Sequence, residues 1–156
     1  MFTTHIEKFC NCIDELKPIF EIHAKELSEH IKHKIPLDPD YNQYRKLEND
    51  GKLLYISLRY GGKLIGYFSG FLVNSLHYRV WLLSLDLFYV LPQYRGKFDG
   101  GVRGGQLLID AIKKEAKRLG IRCWTMGRKA ARGNHFEKLL KDNGFELFEI
   151  HYIYWF

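Results

Sequence analysis

Asp86 is the only acidic residue between Leu53 and Val90, and it stands inside the otherwise apolar run WLLSLDLFYVL. A lone carboxylate in such a run is costly unless it is paired or lies at an edge. The chemistry open to it is proton acceptance: placed beside a nucleophile, it can take a proton directly or through water, for a rate gain of about 10²–10⁴-fold. The structural alternatives are an ion pair with Arg59 or Arg79, or a place on a wet face. Upstream in LHYR, His77 supplies an imidazole suited to proton transfer near neutral pH, although a loop histidine is as readily incidental. Downstream, residues 94–105 hold five glycines together with Arg95, Lys97 and Arg103. Backbone N–H groups clear of side chains at the start of a helix, with added positive charge, form an anion cradle. No GxxxxGK(S/T) is present, and the glycine spacing does not fit GxGxxG, so neither a P-loop nor a dinucleotide fingerprint is indicated.

Other reactive residues are less organised. Tyr152 and Tyr154 could donate a proton, but their regular spacing reads as core packing. His30 and His33 beside Glu26 and Glu29 have helical spacing suited to a metal, yet no distant third ligand accompanies them and no metal is expected. No local motif marks a serine or cysteine nucleophile.

The elements that must position these residues follow from periodicity. Thr4 with Glu7 reads as a capping box, and Ile6, Phe9, Cys10, Ile13 and Leu16 recur behind it at helical spacing. Pro18 kinks or ends that helix, which resumes towards residue 33. Residues 35–40 form a loop, from which Asp38 and Pro39 open a short helix stopped by Gly51. LLYISLRY and KLIGYFSGFLV are strands joined by the tight turn Gly61-Gly62. Residues 74–79 lead to a third strand, WLLSLDLFYVL, ended by Pro92. Beyond the glycine-rich loop, Leu108, Ala111, Ile112, Glu115 and Leu119 mark a long amphipathic helix closed by Gly120. IRCWTM is a fourth strand, HFEKLLKDNG a short helix, and FELFEIHYIYWF a last strand. The order ααββ-β-α-β-α-β describes an α/β domain with a mostly antiparallel start.

Composition supports one domain over residues 1–156. An apolar fraction of 46% and a charged fraction of 27% exclude disorder, collagen-like repeats and a disulfide scaffold. No apolar run reaches the roughly 20 residues of a membrane span, and the start MFTTHIEKFC does not read as a secretory signal. The three cysteines read as reduced core residues of a cytoplasmic protein. Net charge is concentrated: residues 95–132 carry 11 Lys and Arg against 3 Asp and Glu. That segment is expected to hold something anionic, a phosphorylated cofactor or a nucleic acid, unless it is a solvated helix face.

The segment FYVLPQYRGK, followed by GGQLLIDAIKKEAKRLGI, closely resembles the acyl-CoA-binding motif of the GNAT superfamily of N-acetyltransferases. That motif is a strand reading roughly LYVxPxYRG, then a (Q/R)xxGx(G/A) turn opening a long helix. Upstream, GGKLIGYFSGFLV is similar to the family's hairpin. Downstream, GNHFEKLLKDNGFE is similar to its Asn-led helix and closing strand, so the likeness covers about residues 53–150. LHYR is similar to small stand-alone members carried by bacteriophages and prophages, which would act in the host cytoplasm. The resemblance implies a GNAT-like α/β fold: a mixed central sheet, N-terminal helices and a glycine-rich strand-loop-helix motif. It implies acetyl-CoA as cofactor, and transfer of an acetyl group to a primary amine by direct attack in a ternary complex.

Residue by residue, the resemblance implies that backbone groups of Phe88, Tyr89 and Val90 pair with the pantetheine arm. N–H groups around Arg95, Gly96, Gly104 and Gly105 would cradle the pyrophosphate, with Lys97 and Arg103 adding charge. Asn134 would hydrogen-bond the pantetheine where two strands splay, or simply cap a helix. Asp86 lies where a carboxylate often serves as base, with His77 as a second catalytic candidate. Three departures stand out. Arg95 and Gly104 are nine residues apart where the family has five, so the turn carries about four extra residues. Leu140 occupies the place of a tyrosine that often protonates the departing thiolate. The chain also holds one strand after Gly144 where longer relatives have two. The resemblance further implies a small-molecule or macromolecular amine as acceptor, selected by the N-terminal helices and the loop at Pro36–Asp40; its identity is not readable from the sequence. The alternative is a nucleic-acid-binding or otherwise non-catalytic protein on the same scaffold, using the basic segment 95–132. An aromatic last strand left as an edge would favour a homodimer.

Overall fold

The chain begins with a strand where its sequence reads as a helix start. In the computed structural model, which describes residues 1–27, 35–96, 98–127 and 135–149, β1 (Phe2–Ile6) pairs antiparallel with β2 (Leu53–Tyr60). Thr4 is therefore no helix cap. Glu7 instead accepts from Arg59 Nε at 3.2 Å. Local capping preference gives way because the outer edge of β2 would otherwise expose a row of unpaired N–H and C=O groups.

α1 (Phe9–Leu27) is capped at long range: Glu48 accepts from the N–H groups of Phe9 at 2.5 Å and Cys10 at 3.4 Å. Pro18 lies inside α1 without ending it. Glu48 belongs to α2 (Tyr41–Asn49), whose own cap is Asp40 and not Asp38: Asp40 Oδ1 accepts from Asn42 and Gln43 at 3.1 and 2.9 Å. Replacing Glu48 by Ala unpairs the first turn of α1, and a loss of about 0.5–2 kcal/mol is expected. Urea unfolding should show a lower midpoint at unchanged m-value; an unmoved midpoint would mean that water caps the helix as well.

β3 (Lys63–Asn74) returns from the Gly61-Gly62 turn, where φ is +56° and +82°, the left-handed pair that a two-residue hairpin requires. β4 (Trp81–Val90) follows antiparallel, then a 3-10 turn at Pro92–Tyr94. The extra residues of the glycine-rich loop form a small hairpin of their own, β5 (Phe98–Asp99) and β6 (Val102–Arg103). Gly100 and Gly101, at φ +61° and +82°, turn it. α3 (Gly104–Arg118), β7 (Cys123–Thr125) and α4 (His135–Asp142) complete the described elements. Sheet order is β1-β2-β3-β4-β7, and only the β4–β7 pairing is parallel.

One face of the sheet meets α1 and α2 through aromatic contacts: Phe9 lies edge-on to Tyr55 at 5.6 Å, and Phe20 to Tyr67 at 5.3 Å. The other face carries α3, where Leu58 packs against Gly104. Cys12 is buried as expected, but Cys123 on β7 is exposed. Residues 145–149 are irregular where a last strand was expected. The remainder of that stretch, with Tyr152 and Tyr154, lies outside the described residues. Among those described, no helix is long and apolar enough to cross a membrane.

Candidate active site

The ladder between β3 and β4 is regular except at one place. Ser69 pairs with Leu87 and Gly70 with Leu85, so Asp86 is the extra residue of a β-bulge. A bulge breaks the alternation of side chains, and here Asp86 and Leu87 both turn to the α1/α2 face. Asp86 Oδ2 accepts from the Tyr44 hydroxyl at 2.7 Å and from the Ser69 hydroxyl at 2.8 Å. Neither Arg59 nor Arg79 pairs with it; Arg59 is held by Glu7 and Glu15. Burial pushes the Asp86 carboxyl up from the usual carboxylate range, although the two hydroxyl hydrogen bonds pull against that shift. Burial and the Asp86 charge also push the Tyr44 phenol up, so it remains a donor. Oδ1 accepts no hydrogen bond among the described residues.

Tyr44 and Leu87 also line a cavity of about 380 Å³ on this face. Phe20, His23 and Ala24 of α1 form one wall, Pro36–Asp40 another, and Tyr67 the floor. Its hydroxyl and imidazole groups are already engaged. His23 Nδ1 and the Tyr67 hydroxyl share a hydrogen bond of 2.9 Å, and the His23 ring stacks on Tyr89 at 4.1 Å. The Tyr89 hydroxyl donates to Glu26 at 2.5 Å. The inner end of the cavity is thus one hydrogen bond from Asp86.

On its other side, β4 is half open. Leu82, Leu83 and Ser84 pair with β7, whereas Leu85–Val90 have no ladder partner on that side among the described residues. Phe88, Tyr89 and Val90 all lie on this open stretch. Phe88 meets Phe136 of α4 at 5.3 Å beside the gap. A strand edge without a ladder partner is what an amide-bearing arm can join as an added strand. The start of α3 lies beyond the end of β4. Arg103 at its N-cap makes no side-chain cap hydrogen bond, and the first turn holds no acidic residue, so an anion placed there would meet the positive end of the helix dipole without a competing acid from that turn. A Cβ on Gly104 would meet Leu58 Cδ2 at 2.8 Å, so this glycine seats α3 on the sheet; one on Gly105 would meet only Leu139 at 3.5 Å. An open edge followed by an uncapped helix N-terminus fits the pantetheine and pyrophosphate of acetyl-CoA.

Some expected contacts are not what the geometry offers. The Arg95 N–H donates to the Pro92 carbonyl at 3.2 Å, and its guanidinium pairs with Glu26 at 3.0 Å and with the Val90 carbonyl at 2.6 Å. Arg95 therefore ties α1 to the end of β4 instead of offering a free charge. Gly96, at φ +69°, turns the chain after it. Arg103 is exposed beside the helix start.

Among the described residues, much of the basic excess is spread along α3 and not gathered at the slot. Lys113, Lys114 and Lys117 are exposed on α3, beginning roughly 14 Å along the helix from Gly104, and Arg118 is paired with Glu115. His77 is on an exposed turn before β4, separated from Asp86 by roughly 16 Å of strand, and the structure does not bring the two together. Lys97, Asn134, Glu29, His30, His33, Arg128, Lys129 and Arg132 lie outside the described residues. Leu140 is buried in α4, so no proton donor stands in the place of the family's tyrosine. Tyr44 and Ser69 escaped the sequence reading. The only signal was Ser69 itself, the one serine in the apolar run KLIGYFSGFLV.

Several solved structures share this fold. The ribosomal-protein-alanine N-acetyltransferase of Brucella melitensis biovar Abortus 2308 matches with a TM-score of 0.73 at 17% identity, over 100% of this chain and 99% of that one. An aminoglycoside acetyltransferase from an uncultured soil metagenomic sample matches with a TM-score of 0.76 at 12% identity, over 99% and 97%. AAC(6')-Iy, solved with a CoA bisubstrate analog, matches with a TM-score of 0.71 at 16% identity, over 99% and 97%. Among curated proteins the sequence finds no match. At such identities these likenesses establish the fold. The family model described as the acetyltransferase (GNAT) family matches residues 16–140. With the half-open edge of β4 and the glycine-led helix in place, this chain belongs to the GNAT family of acetyltransferases, whose acyl donor is acetyl-CoA.

Proposed function

We propose that residues 1–156 act as one domain that transfers an acetyl group from acetyl-CoA to a small-molecule primary amine by direct attack in a ternary complex. The observation that carries this reading is the Asp86 bulge. It lies between the cavity on the α1/α2 face and the open edge of β4, so two substrates can reach it by separate routes and be bound together. Acetyl-CoA supplies the acyl thioester and a thiolate leaving group. The open edge at Phe88–Val90 binds and aligns the pantetheine arm, and the N–H groups at Gly104 and Gly105 hold the phosphates. Asp86 Oδ1 takes a proton from the incoming ammonium, which makes the nitrogen a nucleophile. Tyr44 and Ser69 hold Oδ2 and so aim Oδ1. No covalent acyl-enzyme is required, and the described cavity presents no cysteine or serine.

Thermal shift with acetyl-CoA tests the slot. At a hundredfold excess over Kd, one site adds about 2.7 kcal/mol, and ADP alone should add less. For an amine that is turned over, initial-velocity plots should intersect. Absence of stabilisation at millimolar acetyl-CoA overturns the reading, and parallel lines overturn the ternary complex.

A further inference from the structure

We infer that the amine is an apolar one: a primary amine on an aryl or alkyl body, with no anionic group and few hydroxyls. This rests on the acyltransfer reading above. The cavity, whose lining includes Tyr44 one hydrogen bond from Asp86, is walled by Phe20, Ala24, Pro36, Leu37, Pro39 and Leu87. Its hydroxyl and imidazole groups are already engaged, which leaves the rim carboxylates as its open polar side chains. The Tyr44 hydroxyl donates to Asp86, the Tyr67 hydroxyl is bonded to His23, and Asp40 Oδ1 caps α2. A polyhydroxylated body would lose water hydrogen bonds on entering and find few replacements, a cost that apolar carbon does not incur.

Charge narrows the class further. Asp38 and Asp40 are the only formally charged residues among the described lining, and Asp86 lies one hydrogen bond inside. These carboxylates attract an ammonium and repel a phosphate or carboxylate on the same molecule. Size sets the reach. About 380 Å³, at roughly 30 Å³ for each water displaced, admits a body on the order of a dozen non-hydrogen atoms. With its ammonium at Asp86 Oδ1, a phenylalkyl chain fills the apolar walls, and the rim at Leu37 and Asp38 limits its length.

The test uses the full chain with 4-phenylbutylamine, spermidine, neamine, glucosamine 6-phosphate and phenylalanine as acceptors, read by CoA thiol release. A kcat/KM for 4-phenylbutylamine at least about tenfold above each of the others is expected. Without acetyl-CoA, millimolar 4-phenylbutylamine should also raise the melting temperature. Leu37→Asp changes a half-exposed rim position, so the fold should survive; it should raise KM for 4-phenylbutylamine more than it lowers kcat and narrow the gap to spermidine. Faster turnover of spermidine, neamine or the sugar phosphate overturns the proposed class while leaving acyltransfer intact. Absence of both turnover and a melting shift with 4-phenylbutylamine, in protein that acetyl-CoA still stabilises, also overturns it. Failure of acetyl-CoA itself to stabilise the protein marks failure of the underlying reading instead.

Discussion

Asp86→Asn lowers kcat/KM for amine acetylation by about 10²–10⁴-fold and leaves the thermal shift with acetyl-CoA unchanged. Asparagine keeps the shape and still accepts from Tyr44 and Ser69, so the bulge and its hydrogen bonds survive. Only the capacity to take a proton disappears. The pH dependence has a definite sign. Burial holds the Asp86 carboxyl above the ordinary carboxylate range, and the ionised form is the base. Activity therefore falls as pH drops through that raised value, and the acid limb of the wild-type profile lies above where an exposed aspartate would put it. The same shift makes a stability statement. A carboxyl raised in the folded state favours folding below its unfolded pKa and loses that contribution as pH rises through the folded one. The ionised group is thus a burden on the fold at neutral pH, and Asp86→Asn should melt higher there, with the difference shrinking in acid. Activity within about fivefold of wild type would remove Asp86 from the proton-accepting role.

Gly105→Asp separates cofactor binding from folding by moving the two in opposite directions. A Cβ at this position would meet only Leu139 Cδ2 at 3.5 Å, an ordinary contact. An acidic residue in the first turn of α3, which now holds none, should stabilise the helix by about 0.3–1 kcal/mol through its dipole. The same charge stands where the pyrophosphate is to be held. Two like charges a few ångströms apart near a protein surface repel by a few kcal/mol at most, so acetyl-CoA affinity should fall at least about tenfold. Melting and isothermal titration on one preparation read both effects. Unchanged affinity in a protein that melts higher would sink the placement of the phosphates at this helix.

What could be read locally came through intact. Gly61-Gly62 set the central hairpin, apolar runs marked β3 and β4, and helical spacing with Gly120 delimited α3. Asp86 stood out because an acid inside an apolar strand needs a partner or a task. The resemblance of FYVLPQYRGK and the following helix carried the family. Local rules failed where a distant partner competed. Thr4 and Glu7 form a capping pattern, but β1 had an open sheet edge to join and α1 had Glu48 to cap it.

The site itself required the tertiary structure, because its groups meet across the chain. Alternation counted from Leu85 and from Phe88 puts Asp86 on opposite faces, and only the bulge against Ser69 and Gly70 decides between them. Tyr44 reaches Asp86 from 42 residues away, Glu26 reaches Arg95 from 69, and no periodicity reports such pairs. By itself, the sequence determined β2, β3, β4, β7 and α4 in their order, the lone acid and the glycine-led helix, since each depends on neighbours within a few residues. The face that acid points to, the oxygen left free on it and the apolar cavity beside it were decided only by packing, which brings α1, α2 and β4 together over distances that local spacing cannot express.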